Sequence, residues 1–235
     1  MKKICSIFAL SSLLFAGVAA AQDDTNAVYS ANAVGVIKYT IPAGGGMACI
    51  SLPMHSMDDS AVSGWVWGTC PLAQQLEDYS AVYFWQDTGW QPSIKYPKKG
   101  WSQGGGDYVI QPGEAFFVQS PSGSTSNKVI TLLGEVPTEN YLEYALTGSD
   151  NFDTRSASMY PVGVTFGQTV LASNLLENSS VYFWRDGGWQ PSVKYPKKGW
   201  SQGGADQVVA PGEGLFIRSA ATEGSTVRFT RPFEW

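Results

Sequence analysis

GWQPSIKYPKKGWSQGG, residues 89–105, returns as GWQPSVKYPKKGWSQGG at residues 188–204, with sixteen of seventeen positions the same and an offset of ninety-nine. An aromatic, lysine-rich segment kept twice in one chain marks a duplicated unit. Its residues read as strand and turn. Asp87-Thr88-Gly89 and Asp186-Gly187-Gly188 just before it are hairpin turns, because Gly takes positive φ freely. Residues 90–96 are the returning strand. Pro92 places that strand at an edge or a bulge, since it cannot donate to a ladder. Pro97-Lys98-Lys99-Gly100 is a second turn, with Pro presetting φ and Gly closing it. Residues 103–106 read as a flexible loop.

The duplication extends outward at the same offset. SAVYFWQDTGW (80–90) matches SSVYFWRDGGW (179–189), and DYVIQPGEAFFVQS (107–120) matches DQVVAPGEGLFIRS (206–219). In residues 82–85, Val82 and Phe84 share one face of a strand while Tyr83 and Trp85 share the other. Further strands are expected at 108–110 and 115–118, around a turn at 111–114. Residues 33–41 and 47–52 flank Pro42 and three glycines, which predicts a hairpin. In the second half, strands are expected at 144–146, 158–162 and 226–230. Gly and Pro are frequent and long helical patterns are absent, so the fold class is all-β. The expected architecture is two homologous small β-barrel or β-sandwich domains in tandem, residues 22–132 and 133–235. Upstream of the matched region the first half carries about nine extra residues, bracketed by Cys49 and Cys70. Thr169 takes the place of Cys70.

The start of the chain, Met1-Lys2-Lys3 followed by a short apolar run and Ala19-Ala20-Ala21, reads as a secretory signal peptide over residues 1–21. No second long apolar segment follows, so no transmembrane segment is expected in the mature chain. A cell-surface, periplasmic or extracellular location follows. In that oxidising setting Cys49 and Cys70 are expected to pair as a disulfide, stapling the insertion. Without Lys2 and Lys3 the chain has 13 basic against 20 acidic residues, a net charge of −7. That balance argues against nucleic acid as a partner, since phosphate neutralisation needs a basic surface.

The opening VYSANAVGVIKYTIPAG (28–44), the VYFW…GW middle, the LLGEV link (132–136) and the closes PGEAFFV (112–118) and PGEGLFI (211–217) give a wider pattern. In their order these segments resemble a group of uncharacterised exported bacterial proteins with duplicated β-rich domains. The resemblance implies location and fold type, and carries over no activity. The KYPKKGWSQGG insert stands outside that pattern.

Signals for catalysis are sparse. His55 is the one histidine, and a lone histidine is more often a packing or surface residue than a base. No GxSxG elbow occurs, and the His and Cys clusters of metal sites are missing. Asp58-Asp59 and the pair Asp150 and Asp153 lack EF-hand spacing. Asp87, Asp107 and Glu114 recur as Asp186, Asp206 and Glu213, beside Gly or Pro, where turn capping is the ordinary role. The glycine-rich loops lack the Lys-Ser/Thr of a phosphate loop. A non-catalytic protein without metal or cofactor is therefore expected, with a glycoside hydrolase the least favoured reading.

The repeated segment has two readings. In one it is a ligand face: Trp90, Tyr96 and Trp101, with Trp189, Tyr195 and Trp200, stack on sugar rings. Lys95, Lys98 and Lys99, with Lys194, Lys197 and Lys198, meet anionic groups, and two copies give bivalency. In the other, Trp90 and Trp101 are core anchors, and the lysines guard a sheet edge while their stems cover the indoles. The leading function is a secreted or cell-surface binding or adhesion module for extracellular polysaccharide, anionic glycans included. The alternative is a structural subunit of a surface layer or filament, self-associating through edge strands.

Overall fold

A computed structural model describes residues 33–57, 64–87, 89–148 and 151–234. The expected signal peptide lies outside the described residues, as do Asp58, Asp59 and Asp150. The chain is all-β: among the described residues the strand pairs are antiparallel and the α-helices are two, each of a single turn.

The first repeat begins with β1 (Val34–Ile41), whose Ile37, Tyr39 and Ile41 point inward while Val34, Val36, Lys38 and Thr40 point out. This period of two is the signature of a half-buried strand. Next come β2 (Met47–Ser51), β3 (Trp65–Val66), a 3-10 turn and α1 (Pro71–Gln75). Pro at the start of α1 is favourable, because the N–H it lacks would have no partner there. Then follow β4 (Ala81–Gln86), β5 (Gly89–Tyr96), β6 (Gly100–Trp101), β7 (Val109–Ile110), β8 (Ala115–Gln119) and β9 (Lys128–Glu135). The second repeat keeps the order: β10 (Tyr141–Leu146), β11 (Phe152–Ser156), β12 (Val164–Thr165), α2 (Val170–Asn174), β13 (Ser180–Arg185), β14 (Gly188–Tyr195), β15 (Gly199–Trp200), β16 (Val208–Val209), β17 (Gly214–Arg218) and β18 (Ser225–Thr230).

Each repeat has a five-stranded sheet, ordered β2-β8-β4-β5-β6 in the first and β11-β17-β13-β14-β15 in the second. A two-stranded ribbon, β1-β9 or β10-β18, and a short pair, β3-β7 or β12-β16, complete each repeat. The first repeat's core gathers Ile37, Trp67, Leu72, Phe84, Phe116 and Leu132 from these parts. The second gathers Leu146, Phe166, Leu171, Phe183, Leu215 and Val227. The tight turn Asp186-Gly187 has φ of 52° and 77°, which suits a two-residue hairpin.

Several expectations need correction. Residues 33–41 and 47–52 do not form a hairpin: β1 pairs with β9, and β2 with β8. Residues 158–162 are not a strand; the strand there is β11, six residues earlier at its start (158 − 152). Strand β9 runs through Leu132 to Glu135, so the repeats join at residues 136–140. The segment 103–106 is a tight turn, with Gln103 and Gly104 at φ of 52° and 70°, leading into a 3-10 turn at Gly105–Asp107. Tyr39 and Tyr144, each bonded through its hydroxyl to the last carbonyl of the next strand, are 105 residues apart, as are Ser51 and Ser156. The later offset is 99, so the first repeat carries six extra residues (105 − 99), between Ser51 and Trp65, where about nine were expected.

Cys49 and Cys70 form no disulfide; both are free and buried. The reason is the pleat. Cys49 faces away from the first repeat's core, next to Ala115 and Phe117, whereas Cys70 lies within that core. Burial pushes the Cys70 thiol up to about 11, despite bonds from the Leu72 and Ala73 amides, and it pushes the Cys49 thiol up as well.

The sheet faces turned away from the two cores meet each other. Cys49, Ala115 and Phe117 are buried there, with Met47, Tyr83, Trp90, Trp184 and Trp189 packed around them. The contacts across this seam are reciprocal. The Trp85 indole donates to the Phe152 carbonyl at 3.1 Å, and the Trp184 indole donates to the Met47 carbonyl at 3.0 Å. The Ser51 amide donates to Gly212 at 2.8 Å, and the Ser156 amide donates to Gly113 at 2.9 Å. Ile50 bridges Glu213 as Arg155 bridges Glu114. A Cβ on Gly212 would meet the Tyr39 ring at 2.6 Å, and one on Gly113 would meet the Tyr144 ring at 2.5 Å. When each contact has its mirror, two similar bodies are packed about an approximate two-fold axis.

Candidate functional site

The repeated segment occupies β5, the turn after it, β6 and the 3-10 turn, and likewise in the second repeat. Its residues fall into two groups, those the fold consumes and those it leaves facing solvent.

The tryptophans belong to the first group. Trp90 packs edge-on to Phe117, with ring centroids 5.0 Å apart, and reaches Phe216 of the other repeat at 5.9 Å. Trp189 sits 5.3 Å from Phe117 and 5.5 Å from Phe216. Both indoles therefore build the seam. Trp101 packs on the fully buried Trp67 at 5.1 Å, and Trp200 on the fully buried Phe166 at 5.0 Å. All four are half-buried.

Lys95 and Lys194 are consumed too. The Lys95 ammonium donates to the carbonyls of Ala73, Gln74 and Leu76, at 3.2, 3.0 and 2.7 Å. The Lys194 ammonium donates to Ala172, Ser173 and Leu175, at 2.9, 3.2 and 2.7 Å. These carbonyls end α1 and α2, where the helix supplies no partner and a cation is favoured. Lys194 also lies 5.9 Å over the Trp200 ring. The serines form a lock: Ser93 donates to the Ser102 carbonyl at 2.7 Å, while the Ile94 amide donates to Ser102 Oγ at 2.9 Å. Gly105 closes it, since a Cβ there would overlap the Ser93 side chain.

Subtracting these leaves Gln91, Pro92, Tyr96, Lys98 and Lys99 exposed in the first repeat, and Gln190, Pro191, Tyr195, Lys197 and Lys198 in the second. Tyr96 and Tyr195 are 41% and 47% exposed, in the same range as Tyr79 and Tyr141, at 60% and 52%. Lys98 and Lys197 hold φ of 63° and 60°. Left-handed backbone favours Gly, or Asn among residues with a side chain. At another left-handed position the repeats differ, with Tyr79 at φ 66° against Asn178 at 69°, whereas Gln103 and Gln202 are the same residue at φ 52° in both. The lysine is likewise kept at both tips. Among the described residues none of the four tip ammoniums has a hydrogen-bond or ion-pair partner.

The recurring acids have turn roles. Glu114 accepts from the Gln111 amide at 2.9 Å and from the Tyr108 hydroxyl. Glu213 accepts from the Ala210 amide at 3.1 Å and pairs with Arg185. Burial raises the Glu114 carboxyl above its usual range, partly offset by the bonds from Tyr108 and Gln111. Along the seam Glu114, Trp85, Asp153 and Arg155 line a groove of about 810 Å³. Its counterpart, lined by Glu213, Trp184, Tyr39 and Arg185, holds about 550 Å³. Asp153 is engaged internally by the Thr147 amide and hydroxyl, at 2.7 and 2.9 Å. His55 lies 3.4 Å from Glu139. Among the described residues no group of three or more His, Cys, Asp or Glu is placed to hold a metal ion, and no helix is long and apolar enough to cross a membrane.

Of the residues offered for a ligand face, the four indoles are engaged in packing, as the core-anchor reading had it for Trp90 and Trp101, and Lys95 and Lys194 are engaged at the helix ends. No signal within the segment shows that Lys95 reaches carbonyls some twenty residues upstream. No family model, curated protein or solved structure matches the chain.

Proposed function

We propose that this is an exported, non-catalytic binding protein that presents two equivalent cationic tips, Tyr96-Lys98-Lys99 and Tyr195-Lys197-Lys198, to an anionic extracellular polysaccharide. The observation that carries the reading is the pair of unpartnered lysines kept at each tip, one of them in a backbone conformation that disfavours it. Lysine ammoniums attract sulfate or carboxylate groups, and an exposed tyrosine ring offers a face for a sugar ring. The rest of the chain is acidic, so charge outside the tips opposes unspecific polyanion binding. Two tips raise avidity without stronger individual contacts.

Retention on immobilised dextran sulfate, against neutral dextran, tests this. The quadruple variant Lys98→Gln, Lys99→Gln, Lys197→Gln, Lys198→Gln should lose retention while its melting temperature stays put. A double variant at one tip should fall in between, and added salt should elute the native chain early. Equal retention of native and quadruple variant would remove the proposal.

The structural-subunit reading has one observation of its own. The outer face of the β1-β9 ribbon exposes Val34, Val36, Val129 and Leu133, whereas the matching face of β10-β18 carries the Glu143–Arg228 ion pair.

A further inference from the structure

The seam joins two repeats that each have a buried cluster of their own and that build a third between them. The covalent link between them is residues 136–140. One end of it is fixed to the first repeat, where the Val136 amide donates to Ala33 at 2.7 Å. The other is fixed to the second, where Arg231 donates from its amide to Asn140 at 3.0 Å and from Nη1 to Thr138 at 2.6 Å. Every seam contact is therefore made between surfaces that one chain supplies to itself but that a second copy supplies equally well.

We infer that the seam is an exchangeable interface, and that its second partner is another copy of this chain. The first repeat of one molecule pairs with the second repeat of its neighbour, giving a closed dimer with two seams. The contacts in that dimer are the same as in the monomer, so the choice between them rests on the link and on concentration.

The pairing is selective. At Gly214 a Cβ would meet the Ala115 methyl at 2.6 Å and the Cys49 sulfur at 2.8 Å. Ala115 occupies the matching position of the first repeat. Two first repeats brought together would set alanine against alanine, and the methyls would collide. A first repeat thus accepts a second repeat and rejects its own kind, and exchange joins unlike halves.

The test uses the full chain. Refolded from denaturant at low concentration it should be monomeric. Refolded at high concentration it should give a second species of twice the mass by light scattering, with the same tryptophan emission as the monomer. A complementation arm uses Phe117→Asp, which spoils the first repeat's face, and Phe216→Asp, which spoils the second's. Each variant alone should be monomeric. Refolded together, they should form a heterodimer through the two intact faces. A native chain that stays monomeric at every refolding concentration overturns the inference. A mixture that remains folded but monomeric does so too. If both variants are unfolded alone and remain unfolded when mixed, the cores depend on the seam and the inference falls for that reason.

Discussion

Lys95→Met separates a lysine used by the fold from one left at the surface. The substitution keeps the length of the stem and removes the ammonium. Three carbonyls at the end of α1 lose their donor, at 2.7 to 3.2 Å. A hydrogen bond to a charged group contributes about 1.5–3 kcal/mol where water cannot replace it. The Gln74 carbonyl is open to solvent and recovers much of its loss, while those of Ala73 and Leu76 are part-buried and recover less. The net cost should be about 2–3 kcal/mol. For a chain of this size that is a fall in melting temperature of roughly 5–10 °C. Lys194→Met is an internal replicate and should cost a similar amount. Lys98→Met, on an exposed turn, should stay within about 0.5 kcal/mol. Thermal and urea melts followed by circular dichroism measure all three. If Lys95→Met costs no more than Lys98→Met, the ammonium does not hold the helix end, and Lys95 rejoins the surface lysines.

Two further predictions follow from the buried ionisable groups. In the native protein at pH 8 neither Cys49 nor Cys70 should react with iodoacetamide, while denaturant should expose two alkylatable thiols; an unreduced mass two hydrogens below the reduced one would contradict the free pair. Glu114 binds its proton more tightly folded than unfolded because burial penalises its charge, so stability should decline as pH rises from the ordinary glutamate range toward its higher folded value. Glu114→Gln keeps an acceptor for the Gln111 amide and should flatten that decline in urea melts taken across the range; an unchanged slope would show that burial of this carboxyl does not set it.

Much of the fold is legible in residues 80–90. The alternation of Val82 and Phe84 with Tyr83 and Trp85 fixes a core face and a second face, because side chains on a strand point to opposite sides. Asp-Gly marks the hairpin for an equally local reason. What the second face meets is not a local property. Trp85, Trp90 and their counterparts look the same in sequence whether a sugar or the other repeat covers them. Strand pairing fails for a related reason: β1 has the pattern of any half-buried strand, and nothing in it distinguishes the neighbouring β2 from β9 ninety residues on. The tips were legible as turns. The fate of Lys95 depends on where α1 ends in space.

The seam's near-symmetry has a genetic consequence. In a pair of identical subunits one gene writes both sides of the axis, so each substitution lands twice and a residue on the axis meets itself. Once both halves lie in one reading frame, each side can change alone. Ala115 can grow a methyl because Gly214 has none. Ile50 and Arg155 can answer two equivalent glutamates with unlike chemistry, and Tyr108 can serve Glu114 while Gln207 leaves Glu213 to Arg185. The two grooves along the seam have corresponding linings but are written by separate codons, so each is free to be selected for a separate purpose.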